Sequence, residues 1–467
     1  MSTQRSKYEI DMIHGGLPKK LLLFALPLIF SSVLQLLFNA IDVIVVGRYV
    51  SEHALGAVGA TSALINLLVN LFIGLSVGAN VVIAQDLGAG ELKKVRKDTH
   101  TSIVLALIGG FLLTIIGVFF TGQFLVWMST PADLLELASL YLRIYFFGMP
   151  ANMLYNFGAA ILRAQGDTKR PLYILTLAGV LNAGLNLFFI LVCGMSVDGV
   201  ALATIISQYL SAGLVIWCLM VDDGPLKLDL KALKMDGRTV LRILRVGLPA
   251  GLQGIVFSLS NVVIQSAINS FDNVAINAGS TASASIEGFI YVAMNAFYQT
   301  CLTFTSQNYS AGLTRRVTKT LLLCQFYVFL TGLILGNLAT IFGHSLAAIY
   351  APGKPEVIEQ AVVRMRYACR FYFLCGMMDV FVGALRGLGY SITPMLISVV
   401  GACGVRILWV MTIFQTYHST QMLFVSYPIS WGITATAHLI TFLIIRKRTY
   451  ARANTPRPED LEAAFPS

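Results

Sequence analysis

Long apolar segments dominate the chain, and each is long enough to cross a lipid bilayer as a helix. About 20 apolar residues span a hydrocarbon core about 30 Å thick, and twelve segments reach this length. They cover residues 21–46, 54–84, 101–128, 134–162, 171–193, 197–221, 241–269, 274–305, 320–350, 361–385, 393–416 and 420–445. Because the apolar residues run continuously rather than alternating, a β-barrel is excluded. The pattern predicts an all-α polytopic membrane protein with twelve transmembrane helices.

The chain also contains an internal repeat. The basic loop AQDLGAGELKKVRK at 84–97 aligns with SQNYSAGLTRRVTK at 306–319, and RAQGDTKRP at 163–171 aligns with RGLGYSITP at 386–394. Each copy holds six spans, an even number, so both copies face the same way and are related by a pseudo-twofold axis along the membrane normal. The predicted organisation is an N-terminal segment (1–20), an N-lobe (21–221), a linker (222–240), a C-lobe (241–445) and a C-terminal tail (446–467).

Charge places this architecture in the cytoplasmic membrane. Charged residues make up 12% of the chain, against about 25% in soluble proteins. Lys and Arg gather in the loops on one side, whereas the opposite loops carry only Arg48 and Lys354. By the positive-inside rule, the termini and the linker are cytoplasmic. The net charge of +10 therefore reports topology, and we expect no nucleic-acid partner.

Three polar residues in the first span share one helical face. Gln35, Asn39 and Asp42 are spaced by four and three residues, which brings them to the same side of a helix. Such a stripe indicates a cavity lining, although Asp42 could instead reach the outer surface. Pro27 lacks a backbone N–H and predicts a bend in this helix. That bend could couple protonation of Asp42 to helix shape.

Other polar and charged residues also fall inside predicted spans. Asn182 and Asn186 form an i, i+4 pair on span five, which suits either a binding site or inter-helix hydrogen bonding. Glu287 lies near the middle of span eight, where a charge costs about 2.5–3.5 kcal/mol and usually marks a functional pathway. Asp379 and Arg406 have the opposite signs needed for a buried ion pair, so a structural salt bridge is an open alternative to a role in the C-lobe cavity.

Several motifs together resemble the multidrug and toxic compound extrusion (MATE) family. They are LPLIFSSVLQLLFNAIDVIVVG in span one, the paired loops ILRAQGDTKRP and ALRGLGYSITP, and LNAGLNLFFILVCGMSVDGVALAT from span five into span six. The resemblance covers residues 17–445 and is closest in style to the DinF-like and MepA-like prokaryotic branch. It implies cation-coupled export of amphipathic, often cationic, compounds by alternating access.

The resemblance also implies a polar cluster in the N-lobe. It assigns this cluster to Gln35, Asp42, Asn182 and Thr204, while the family's second acidic position on span five is occupied by Asn186. A sodium ion needs several oxygen ligands, and this cluster offers them; a proton needs only a carboxylate, and Asp42 suffices. The coupling ion is therefore H⁺ or Na⁺, and no other cofactor is expected.

Other classes of function fit the residues less well. A flippase of the wider MOP superfamily, moving a lipid-linked saccharide or another lipid, is the main alternative, but the charges predicted inside the membrane are mostly acidic apart from Arg406. An enzyme is not expected, since the histidines are isolated and the seven cysteines form no CxxC motif or Cys/His cluster for a metal. The expected partners are small organic cations and membrane lipids, and we expect a monomer.

Four aromatic residues and two arginines are candidates for contact with a substrate or with the membrane interface. Rings facing a cleft could stack on a cationic substrate, and two arginines at matching positions of spans four and ten are expected to anchor the helices at the membrane interface. The aromatic candidates are Tyr155, Phe157, Tyr291 and Phe297, and the arginines are Arg143 and Arg366.

Overall fold

The computed structural model describes residues 8–128 and 130–453, and within them the chain is helical and contains no β-strand. The α-helices, in chain order, are α1 (Leu17–Tyr49), α2 (Glu52–Gly88), α3 (Leu92–Trp127), α4 (Ala132–Phe147), α5 (Met149–Gln165), α6 (Lys169–Leu187), α7 (Val197–Val221), α8 (Gly237–Asn269), α9 (Val274–Ser310), α10 (Thr314–Ile341), α11 (Gly343–Tyr350), α12 (Pro355–Tyr367), α13 (Tyr372–Gly387), α14 (Ile392–Ser398), α15 (Val405–Met411), α16 (Ile413–Thr416) and α17 (Thr420–Ala453). Short π-helical segments, Phe188–Val192 and Val399–Gly404, continue α6 and α14, while 3₁₀ turns occupy Leu230–Ala232 and Cys369–Phe371.

The helices confirm an all-α protein that crosses a membrane many times. Among the described residues, ten helical stretches are long and apolar enough to span a bilayer. The two remaining predicted spans differ in an instructive way. The span at 274–305 is realised as α9, which is long enough but contains many Ser, Thr, Asn and Gln residues. The span at 134–162 is divided between α4 and α5.

The division between α4 and α5 corrects the expectation of one continuous helix at 134–162. α4 ends at Phe147, Gly148 follows, and α5 begins at Met149 with Pro150 in its first turn. Proline has no backbone N–H and is well suited to the start of a helix, not to its interior. Hydropathy is insensitive to this effect, because it counts apolar residues and not backbone donors.

The described chain forms two compact units. The first contains residues 8–11, 22–87 and 91–258, and the second contains residues 12–21, 88–90 and 259–453. The core of the first unit includes Phe146, Met153 and Phe157, all fully buried. Within this unit, Gly74 of α2 lies against the backbone of Gly251 of α8, where a Cβ atom would collide. Small residues of this kind allow membrane helices to pack closely.

The two copies of the repeated loop have the same local conformation. Gly90 and Gly312 both have φ of 74°, a left-handed conformation that favours glycine. The backbone N–H of Glu91 donates to Asp86 O at 2.9 Å, and that of Leu313 donates to Asn308 O at 2.8 Å. The sequence repeat is thus also a structural repeat at this loop.

Candidate functional site

A polar cluster in the first unit contains four of the residues predicted for the N-lobe. Asp42 lies seven residues before the end of α1, and the Asn186 side chain at the end of α6 donates from Nδ2 to Asp42 Oδ1 at 2.5 Å. Asn186 Nδ2 is also 3.4 Å from Asn182 Oδ1, and Asn182 Nδ2 is 3.4 Å from the Thr204 hydroxyl on α7. Three helices therefore bring one carboxylate, two amides and one hydroxyl together.

The cluster has one notable unsatisfied oxygen. Asn186 is fully buried, and its Oδ1 has no hydrogen-bond partner in the described part of the chain. Thr204 also donates to Val200 O at 3.0 Å, one turn earlier on its own helix. Threonine often makes such a backbone bond within a helix, and here it is present together with the contact to Asn182. A buried acceptor without a donor is unusual in proteins, and here it lies beside the carboxylate.

Two tyrosines of α4 lie near Asp42 and were not singled out by sequence reasoning. Tyr141 and Tyr145 stack with ring centroids 6.0 Å apart, and both phenols are within electrostatic reach of the Asp42 carboxylate. Their i, i+4 spacing indicates a shared helical face. That spacing alone cannot reveal which distant helix the face meets.

The rest of the predicted stripe on α1 does not join this cluster. Gln35 and Asn39 are exposed, and within the described residues no hydrogen bond connects either side chain to Asp42. Pro27 is buried inside α1, and its carbonyl accepts a hydrogen bond from Ser31 at 2.8 Å. The proposed bend at this proline remains a prediction.

In the second unit, Glu287 of α9 is held by an arginine that sequence analysis overlooked. Arg364 of α12 donates from Nε to Glu287 Oε1 at 2.8 Å and from Nη2 to Oε2 at 2.9 Å, and Ser283 donates to Oε1 at 2.9 Å. The two ionic side chains are only 9% and 7% exposed. Glu287 is therefore one half of a buried bidentate ion pair, and its charge is balanced.

Asp379 and Arg406 do not form the ion pair considered from the sequence. Within the described residues no salt bridge joins them. Arg406 instead donates from Nε to Ser430 Oγ at 3.0 Å and lies over the Tyr427 ring at 4.4 Å from its centroid and the Trp431 ring at 5.4 Å. These are cation–π contacts, so aromatic rings take the place expected for a carboxylate.

The aromatic candidates have different environments. Phe157 and Phe297 are buried at 1% and 3% exposure, whereas Tyr291 is 39% exposed. Tyr155 donates to Pro171 O at 3.3 Å. Tyr291 is thus the member of this set with the largest free surface. The two anchoring candidates, Arg143 and Arg366, are exposed.

Metal coordination by the usual side chains has no support in this part of the structure. No group of three or more His, Cys, Asp or Glu residues that could hold a metal ion occurs among the described residues. Side-chain oxygens of Asn and Thr can also bind a cation, and the cluster around Asp42 contains both residue types.

Comparisons with known proteins agree with this architecture. The MatE family model matches residues 27–188 and again residues 249–412, once in each copy of the repeat. The chain is 26% identical over 425 residues to the probable multidrug resistance protein YoeA of Bacillus subtilis, covering 88% of this chain and 90% of that protein. It is also 26% identical over 402 residues to the probable multidrug resistance protein NorM of Thermotoga maritima, covering 83% and 84%.

A solved structure supports the same fold. A MOP superfamily transporter from Pyrococcus furiosus, for which a reversed polarity of the binding pocket suggests a different function, matches with a TM-score of 0.89 and 22% identity, covering 97% of this chain and all of that one. With the family model matching most of the sequence and ten apolar stretches suited to a bilayer, the protein is a multi-pass membrane protein. The chain belongs to the MATE family of transporters.

Proposed function

We propose that this protein is an antiporter that exports amphipathic organic cations in exchange for H⁺ or Na⁺, with Asp42 as the ion-coupling residue of the N-terminal half. The observation that carries the proposal is the contact of Asp42 with Asn186, inside the cluster that also includes Asn182 and Thr204. Relatives named as multidrug resistance proteins support the substrate class.

The cluster suits a small cation for two reasons. Asp42 supplies a carboxylate, and the unpaired Asn186 Oδ1 supplies a second oxygen next to it. Rotation of the Asn186 amide would exchange its nitrogen for its oxygen toward Asp42, which favours either a protonated carboxyl or a bound sodium ion between the two oxygens. In each case the cation neutralises one negative charge, and the hydrogen bonds of the cluster rearrange with it.

Asn186 limits the charge that this half can bind. Among the cluster residues that hydrogen-bond one another, Asp42 is the one carboxylate. A mechanism that places two protons on two neighbouring acids does not fit these residues. We therefore propose one cation bound at Asp42 in each transport cycle.

A lipid flippase is the second candidate, and the arginines of the second unit favour it. Arg364, Arg386 and Arg406 are buried, and Arg364 neutralises Glu287. The acidic excess expected inside the membrane is therefore smaller than the sequence indicated, and that argument against an anionic cargo is weakened. The candidates differ in their cargo: an organic cation in one case and a lipid-linked anion in the other.

Dye accumulation in cells distinguishes the two candidates. Cells that lack their own exporters and produce this protein should accumulate less ethidium than cells with an empty vector. A protonophore or removal of sodium should abolish the difference. Unchanged dye levels in cells that contain the folded protein would contradict export, and altered levels of lipid-linked precursors would favour the flippase.

A further inference from the structure

A second group of ionisable residues lies beside the first copy of the repeated loop, far from Asp42. Asp86 lies in the last turn of α2, two residues before its end, and Asp98 lies in the second turn of α3, so the two acids lie on either side of the turn between these helices. Arg242 of α8 donates from Nη1 to Asp86 Oδ2 at 2.8 Å and from Nη2 to Oδ1 at 2.9 Å, and its Nη1 is 3.6 Å from Asp98 Oδ2. One guanidinium therefore serves two carboxylates.

Asp98 is the unusual member of this group. Its side chain is 1% exposed. Oδ1 accepts a hydrogen bond from the Thr239 hydroxyl at 2.7 Å, whereas Oδ2 is buried and has no hydrogen-bond donor in the described part of the chain. Oδ2 lies 3.6 Å from Arg242 Nη1, the same nitrogen that donates to Asp86 Oδ2, so the two carboxyls meet at one nitrogen. A buried carboxylate oxygen normally has a donor.

A single proton explains this arrangement. Two ionised carboxylates beside one guanidinium would leave the charge of Asp98, whose side chain is 1% exposed, without full compensation, because Arg242 is 40% exposed and binds both oxygens of Asp86; a poorly compensated buried charge is unfavourable. Neighbouring acids in such a place resist joint ionisation and share a proton instead. With one proton shared between the two acids, Asp86, Asp98 and Arg242 together are neutral.

We infer that Asp86 and Asp98 form a proton-binding site whose occupied state anchors the start of α8 to α2 and α3. The anchoring contacts are those that Arg242 and Thr239 make with the two acids. Loss of the proton places two like charges side by side and leaves a charge on the buried Asp98 carboxyl, so the anchored arrangement loses stability relative to one in which water reaches the two acids. The inference goes beyond the proposed function, since it requires no particular substrate or coupling ion.

The site is physically separate from Asp42. Asp42 lies close to the end of α1, just before α2 begins, whereas Asp86 lies at the other end of α2. Glu52 and Asp86 are 34 positions apart on α2, which corresponds to about 51 Å at 1.5 Å per residue. Titration of one site can therefore be followed without direct interference from the other.

Other charged groups face the pair from the same elements. The positive charge of Lys94, on α3, attracts the Asp86 carboxylate. Lys97 of α3 binds Asp236, which precedes α8, at 2.7 Å, and Asp236 in turn accepts hydrogen bonds from Thr239. His100 Nδ1 lies 2.7 Å from Arg96 O, and His100 Nε2 accepts a hydrogen bond from the backbone N–H of Asp229 at 3.1 Å.

The second copy of the repeat provides a natural comparison. The residues 222 positions after Asp86 and Asp98 are Asn308 and Thr320, neither of which titrates. In the second unit, Arg316 donates to Asn308 Oδ1 at 2.9 Å and to Met12 O at 3.0 Å. The second copy of the loop therefore binds the segment that precedes α1, as the first copy binds the start of α8. It does so without a pair of acids at these two positions. Anchoring is common to both copies, and the proton site belongs to the first.

Infrared spectroscopy of the purified full-length protein tests for the proton directly. Difference spectra between pH 5 and pH 9 should contain the carbonyl band of a protonated carboxyl that disappears as the pH rises. Asp98→Asn should remove one carboxyl's share of this band. Asp42→Asn should leave the contribution of Asp98 to the band in place. Asp223→Asn changes a side chain of the 222–240 linker that is 99% exposed, and it should leave that contribution in place as well. An unchanged band in Asp98→Asn would overturn the inference.

Hydrogen exchange tests the anchoring. Corrected for intrinsic rates, protection of residues 236–244 should fall about tenfold or more between pH 6 and pH 9 in the wild type, the factor that corresponds to one pKa unit. Asp98→Asn, which cannot ionise, should keep its protection, and residues 12–16 serve as the internal reference. If Asp98→Asn does not fold, Asp86→Asn should show the same loss of pH dependence. Equal pH dependence in the wild type and the folded variant would contradict the inference. Neither measurement depends on transport, so failure of the export proposal leaves both interpretable.

Discussion

Removing Arg364 should destabilise the protein far more than removing an exposed arginine from the same helix. Arg364 binds both carboxylate oxygens of Glu287, at 2.8 and 2.9 Å, in a site where both side chains are less than a tenth exposed. Arg364→Met leaves Glu287 buried without its guanidinium, a change that costs about 3–5 kcal/mol. Arg366→Met, two residues away and exposed, should change the free energy of unfolding by no more than about 0.5 kcal/mol.

The double variant separates the ion pair from simple loss of packing. Glu287→Gln combined with Arg364→Met removes both charges, so most of the lost stability should return. The free energy of unfolding of the wild type, both single variants and the double variant, measured by denaturant titration in mixed micelles, gives the coupling energy. An Arg364→Met variant as stable as Arg366→Met would refute the reasoning. Transport by a stable double variant would then show whether Glu287 has any role besides the ion pair.

Three further predictions concern other parts of the molecule. Asn186→Asp should raise the pH at which the N-terminal half releases its proton, because two neighbouring carboxylates resist joint ionisation; a pH profile of export identical to that of the wild type would count against this. Gly90→Ala should lower the free energy of unfolding by about 1 kcal/mol, because φ of 74° is strained for alanine, whereas Gly122→Ala, in open space on a helix, should not; equal effects would contradict the argument. A hydrogen bond from Lys97 lowers the pKa of Asp236 to about 2, so this contact stabilises the fold at pH values above the ordinary pKa of about 3.9 and is lost as the pH falls toward about 2; Lys97→Met should remove that acid-dependent part of the unfolding curve, and unchanged curves would contradict it.

Much of the fold could be predicted from the sequence because lipid imposes strict rules on the chain. Apolar length identifies spans, and backbone donors must be satisfied within each helix. The break between α4 and α5 escaped this reasoning. Hydropathy is continuous across it, and the break lies at Gly148, just before Pro150. The missing backbone N–H of a proline is a property of one residue, and hydropathy averaged over many residues does not detect it.

The candidate site was predictable where local spacing and family resemblance agreed. The i, i+4 pair of Asn182 and Asn186, together with the MATE motifs, led to the cluster that contains Asp42. Arg364 was missed because its partner Glu287 is 77 residues away on another helix. No periodicity within one helix specifies which neighbour it meets, so pairing between distant residues requires the structure.

Transport by purified protein in proteoliposomes tests the proposed coupling at Asp42 most directly. Ethidium movement should require an imposed proton or sodium gradient of opposite direction, and reversal of the gradient should reverse the movement. Asp42→Asn keeps the side-chain volume nearly unchanged but removes the charge, so the folded variant should lose gradient-driven transport. Full gradient-driven ethidium transport by reconstituted Asp42→Asn would contradict the account.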